Sequence, residues 1–330
     1  MSAISRRHFI GSAAAASAIP LIRSRAHAQQ TDWPTRPIRI IAGYPAGGQT
    51  DLFARTYGDY IRAETGQTVT VENKAGASGS VAAAEAKRAA PDGYTLMFTI
   101  STTMIMNRVL IKDMPYDPDK DFVIVSIMPA GSLPFVVGEK TGAKTFAEFI
   151  AYAKKAEKVN IGTYGAGSYA HMAIVEMNKA YDLRMEPVHY RGEAPMWTDL
   201  AGGFIDGAHG SYGAALSVLQ SGRGTAIAVS RKRMSTLPDV PSFAELGAKP
   251  RLFQLTGFQC CVVPAGTPPE IIQKLSKLLV AAGKTEKIQQ LMKSFGVDDT
   301  AMTFEETQKL YKEESPIWLE AVTSLGLAPS

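Results

Sequence analysis

From residue 38 almost to its end, the chain alternates short apolar runs with amphipathic helical patterns, and this alternation leaves few folds open. Runs at 38–42, 69–71, 95–99 and 123–127 are followed by runs at 135–137, 160–164, 188–190, 204–208 and 225–229, with a last one at 260–263. They are rich in apolar and β-branched residues and bounded by Gly, Pro and Asp, which reads as strands. Strands alternating with helices predict an α/β fold with largely parallel sheets covered on both faces. Thr145-Phe146-Ala147-Glu148, Thr267-Pro268-Pro269-Glu270 and Thr303-Phe304-Glu305-Glu306 each read as a capping box opening a helix. About 300 residues of such pattern are enough for two domains. The sequence has no internal repeat and no long linker, so strands are expected to join the two.

The first 28 residues read as an export signal rather than as part of the fold. Arg6 and Arg7 form a twin-arginine pattern, an alanine-rich apolar run covers 9–22, and Ala26-His27-Ala28 is a small-residue cleavage site. The apolar run is too short for a membrane span. The expectation is a mature protein in the periplasm, cut near Ala28, with the twin-arginine route favoured over ordinary secretion. Residues 1–28 contain four arginines and no acid, so the rest of the chain has 31 basic against 31 acidic residues. A neutral chain gives no sign of a nucleic-acid partner.

Enzyme signatures are weak. Cys260 and Cys261 are adjacent and read as small buried side chains, too few for a structural zinc site. Neither a G-x-S-x-G elbow nor a metal-ligand spacing occurs, and no metal, cofactor or catalytic residue is expected. A hydrolytic enzyme remains the least favoured alternative.

Two glycine-rich segments carry the chemistry. In Tyr44-Pro45-Ala46-Gly47-Gly48-Gln49-Thr50-Asp51 a strand enters a turn, with Thr50 or Asp51 expected to cap the helix that follows. Unpaired N–H groups at the positive end of a helix make an anion site, and glycines admit a ligand to the backbone. In Gly165-Ala166-Gly167-Ser168-Tyr169-Ala170-His171 a second strand meets a second helix, with Ser168 as cap and Tyr169 as a pocket wall. His171 is expected to pack or hydrogen-bond locally rather than act as a base. Two such turns facing each other would suit a small acid with a charged group at each end.

The first of these segments resembles the Y-P-P-G-G-x-x-D start of the substrate-binding subunits of tripartite tricarboxylate transporters, the Bug family. Further matches follow in the family's order: Val71-Glu72-Asn73-Lys74, Ala90-Pro91-Asp92-Gly93-Tyr94, Pro115-Tyr116-Asp117-Pro118, Gly165-x-Gly167-Ser168-x-x-His171, Tyr190-Arg191-Gly192, Leu237-Pro238-Asp239-Val240-Pro241 and Pro264-Ala265-Gly266-Thr267-Pro268. The resemblance implies a type II periplasmic binding protein, with two lobes, two crossover strands and a ligand cleft between them. It places the first lobe at 32–130, the second at 131–256, and the second crossover with the returning C-terminal helices at 257–330. It implies that a ligand carboxylate is held at 44–50, with contacts from Ser101 and Thr102 in the same lobe and from 166–171 in the other. Tyr190, His209 and Tyr212 complete the expected lining. Asp206 matches the first acid of the family's V-D-x-x-x-D pattern, whereas Gly210 stands at the second; that acid meets an amino group or a hydroxyl in some members. The implied function is capture of a small carboxylate, aromatic and dicarboxylic acids included, for integral membrane transporter subunits, with the receptor expected as a monomer. The same fold would also serve a ligand-loaded partner of a membrane sensor.

Overall fold

The computed structural model describes residues 32–190, 192–255 and 257–329; the expected export signal at 1–28 lies outside them. Among the described residues ten strands form two five-stranded sheets. They are β1 (Ile38–Ala42), β2 (Val69–Asn73), β3 (Thr95–Ile100), β4 (Phe122–Pro129), β5 (Pro134–Gly138), β6 (Asn160–Thr163), β7 (Glu186–His189), β8 (Gly207–His209), β9 (Gly224–Val229) and β10 (Phe258–Pro264). The first sheet has the order β2-β1-β3-β10-β4 and the second β7-β6-β8-β5-β9.

The two sheets share one plan, and it departs from the largely parallel expectation. In the first, β1 runs parallel to β2 and β3, but β10 is antiparallel to both β3 and β4. In the second, β6 runs parallel to β7 and β8, but β5 is antiparallel to both β8 and β9. The odd strand in each sheet is the one that arrives from the other sheet. It enters from the facing end and so runs against its neighbours. The two crossings lie side by side, with Ala130 N donating to Gly257 O at 2.8 Å. The result is a two-lobe α/β fold.

Apolar side chains bury both faces of the sheets. Neighbouring residues on a strand point to opposite faces. Cys260 therefore joins the core with Ile127 and Phe135, and Cys261 the core with Val125 and Met128. Both thiols are free and buried, as the sequence suggested. The helix Phe304–Thr323 lies against β4 and carries Trp318 to Tyr169 of the second lobe, with ring centres 5.8 Å apart.

Two local expectations fail for identifiable reasons. The run at 204–208 does not begin a strand at Phe204, which is 73% exposed. The turn that ends the helix Glu193–Ala201 continues through it, with Phe204 N donating to Asp199 O at 2.9 Å. Thr267 is not a cap either. Proline at the first helical position fixes the start at Pro269, so Pro268 is the N-cap, and Thr267 Oγ1 donates to Pro264 O at 2.7 Å. The boxes at Thr145 and Thr303 form in full. Among the described residues no helix is long and apolar enough to cross a membrane.

Candidate functional site

Each glycine turn leaves the C-terminal end of the first parallel strand of its sheet, β1 or β6. There the chain's helical connections diverge to either side, the place where open α/β sheets bind ligands. The two turns differ sharply in what they leave free.

In the first turn residues 45–48 are exposed. Gly48, not Thr50 or Asp51, is the N-cap of the helix Gln49–Thr65, and no side chain bonds the first-turn N–H groups. Asp51 instead turns back into the loop. Its carboxylate accepts from Gly47 N at 2.9 Å, from Asn73 Nδ2 at 2.9 Å and from Arg55 at 3.0 Å. Burial would raise this carboxyl, but Arg55, Gly47 and Asn73 outweigh it and hold it below the usual range. Asn73 Nδ2 also donates to Tyr44 O. Thr50 Oγ1 donates to Gln259 Oε1 at 2.8 Å, and Gln259 Nε2 to Gln49 Oε1 at 3.3 Å, so β10 supports the turn from below. The Tyr44 hydroxyl reaches Ser78 O at 3.1 Å and Thr103 Oγ1 at 3.3 Å.

Ser101 is buried at the start of a π-helical turn, Thr102–Met106, and lies beside the second crossing, where a Cβ on Gly257 would be 3.5 Å from its hydroxyl. Such wide turns are frequent at functional sites. Thr102 is half-buried, its hydroxyl 3.9 Å from Met106 Sδ.

The second turn is internally satisfied. Ser168 caps the helix Tyr169–Tyr181 by accepting from His171 N, as expected. His171 Nδ1 accepts from Gly167 N at 3.2 Å, and its ring stands 4.5 Å from that of His189. Burial, then the neighbouring His189, push His171 down to about 4, so it is neutral and holds the loop. This turn therefore offers the cleft surface rather than free donors.

The other expected lining residues divide. Tyr169 is buried and its hydroxyl reaches Leu252 O at 3.3 Å. Tyr190 donates to Asp199 at 2.7 Å. Tyr212 lies against Gly296 of the first lobe. His209 is fully buried among Phe135, Tyr169 and Phe243, with Nε2 3.0 Å from Leu133 O. That is core packing, not a group presented to a cleft. Asp206 precedes β8 at the far end of the sheet and accepts from Tyr152 and Asn160 N. The lobes touch where Leu110 meets Gly167 and where Gly213 meets Ser294. Gln259 and Asn73 belong to the frame of the first turn; the sequence placed Asn73 in a family match and Gln259 at the second crossing, but neither was among the expected site residues. Gln259 also carried a signal of its own, as a polar residue in an otherwise apolar strand.

Fold and site together define a two-lobe solute receptor. The comparisons then give its kind. Residues 53–327 match the family described as the tripartite tricarboxylate transporter family receptor, and the chain belongs to that family, the Bug-type receptors. A UPF0065 protein of Bordetella bronchiseptica is 33% identical over 76% of this chain and 74% of its own length. The solved Rpa4515 of R. palustris with adipate is 26% identical, with TM-score 0.78 over 90% of this chain and 100% of that one. MatC of Rhodopseudomonas palustris with bound malate is 26% identical, with TM-score 0.70 over 88% and 99%. A family of solute receptors sets the hydrolase alternative aside.

Proposed function

We propose that this chain is an exported periplasmic receptor that closes on a small organic acid and delivers it, as a monomer, to the membrane subunits of a tripartite transporter. The observation that carries this is the uncapped N-terminus of the helix Gln49–Thr65 beneath the exposed 45–48 turn. First-turn N–H groups have no intrahelical partner, and the helix dipole favours an anion there. One ligand carboxylate docks at Ala46–Thr50, with Tyr44, Pro45, Ser101 and Thr102 around it. The second lobe closes over it through the 166–171 turn, Tyr190 and Tyr212. The adipate and malate held by the two relatives support a carboxylate as the ligand class. The twin arginines and the Ala26-His27-Ala28 site support export with cleavage near Ala28.

The test is a thermal-shift screen of the mature protein, unfolded and refolded to remove any carried-over ligand, against small mono- and dicarboxylic acids. A ligand that binds only the folded state raises the melting temperature with its concentration. Binding acids should raise it by several degrees at saturation. Silence across the whole panel would sink the proposal.

A further inference from the structure

A buried amide underlies the exposed 45–48 turn. Gln259 stands in β10 among Phe, Cys, Val and Pro and is 4% exposed. Two positions earlier Gly257 O accepts from Ala130 N at the crossing, so Gln259 lies at the cleft end of its strand. A buried amide is costly unless its polar ends are used. Both are used, and both on the start of the helix Gln49–Thr65. Oε1 accepts from Thr50 Oγ1 at 2.8 Å, and Nε2 donates to Gln49 Oε1 at 3.3 Å.

These bonds run in one direction. A hydroxyl has a single proton to give, and an amide has one acceptor end and one donor end. Thr50 spends its proton on the Gln259 oxygen, which turns the Gln259 NH2 to Gln49 and engages the Gln49 oxygen. What Gln49 has left is its NH2, which among the described residues has no partner. Gln49 is half-buried and adjoins the exposed turn. It is also the first residue of a helix whose first-turn N–H groups no side chain caps. Side-chain and backbone donors therefore meet at one helix end. Arg55, the first basic residue of that helix, is engaged by Asp51 and by Asn73 Oδ1, each at 3.0 Å, so what the turn offers is neutral donors.

We propose that the Gln49 amide donates to the carboxylate of the bound acid, and that Gln259 is the positioning residue that fixes the amide with its NH2 towards the ligand. This rests on the acid site proposed above. It adds a side-chain donor to backbone N–H groups, and it ties that donor to the strand that crosses between the lobes.

A mutant cycle on affinity tests it, because a residue that acts only through another adds nothing once that other is gone. Gln49→Met and Gln259→Met keep the length of the side chains and remove the amides. The probes are hexanoate, adipate, malate and benzoate, and the one that wild type binds tightest by calorimetry is carried through the variants. Gln49→Met should weaken it about tenfold, the worth of one donor to a charged group. Gln259→Met should weaken it about threefold or more, since the Gln49 amide is then free to turn over. The double variant should bind within about twofold of Gln49→Met. Gln49→Glu keeps an acceptor for Gln259 but replaces the donor with a second acceptor, and should lose more than Gln49→Met. Urea melts of the same preparations report any cost to folding separately. Wild-type affinity in Gln49→Met or in Gln259→Met, or losses that multiply in the double variant, would overturn this inference alone. Wild type that binds none of the four probes would overturn the acid site with it.

Discussion

Gly48 turns with φ −79°, open to any residue, and a Cβ there would meet only Pro45 O at 3.3 Å. Gly167 turns with φ +72°, and a Cβ there would strike Leu110 at 2.8 Å. A side chain at 48 therefore tests ligand approach without backbone strain, and one at 167 does not. Gly48→Leu should cost about 1 kcal/mol of stability or less as a weaker N-cap. It should lower acid affinity about tenfold or more by blocking the first-turn N–H groups. Urea melts and calorimetry on one preparation separate the two effects; unchanged affinity would mean the acid is held elsewhere. The buried histidines make a second residue-scale prediction. Unfolded, an imidazole takes a proton near pH 6.5. Folded, burial delays this to about 4 for both His171 and His209. Between those values the unfolded chain holds the extra protons, so stability is complete above pH 6.5 and falls as pH drops towards 4. For fully buried His209 the loss is on the order of 3 kcal/mol. Urea midpoints should drop steadily from pH 7 to 4.5, and His209→Gln should flatten about half of that slope. An unchanged slope in the variant would remove His209 from the account.

Helix ends show what local sequence decides and where it stops. Thr145 and Thr303 cap as their spacing predicts, because a capping box involves four consecutive residues and nothing else. Thr303→Ala should cost about 1 kcal/mol, read as a lower urea midpoint, since the helix it opens ties to β4 through Thr307. Thr267 has the same spacing, but two prolines moved the start by one residue. Strand positions were legible from composition, whereas the directions of β5 and β10 were not. Direction follows from which end of the sheet the chain enters, and that depends on the second lobe. The first glycine turn was legible as an anion site because its strand, turn and helix are contiguous. Asp51 was legible as a helix-start residue, but its bonds to Gly47, Asn73 and Arg55 depend on β2 lying alongside. His209 ends a strand and His171 lies in the first turn of the helix after one; only packing separates a core ring from a loop brace.

Two lobes joined by a pair of hydrogen-bonded crossings can rotate about them, and a solute that touches both lobes favours the closed arrangement by its extra contacts there. The contact between Leu110 of the first lobe and Gly167 of the second lies at the cleft, so it exists only when the lobes are together. A methyl group at 167 would act as a wedge. Gly167→Ala should therefore weaken acid binding by about tenfold, because the closed population falls and the apparent affinity falls with it. The positive φ would also cost stability, and that part is local to the loop. Shortening the opposing side chain separates the two contributions: Leu110→Ala makes room for the methyl group but does nothing for the backbone angle. In the double variant affinity should recover by about threefold or more while the loss of stability remains, a coupling that a mutant cycle reads directly. Small-angle scattering gives the matching structural readout. The radius of gyration should contract on adding a binding acid in wild type, contract less in Gly167→Ala, and contract again in the double variant. If Gly167→Ala contracts like wild type, or the double variant binds as poorly as the single one, Leu110 and Gly167 do not meet in the ligand-bound form, and closure proceeds through another pair of surfaces.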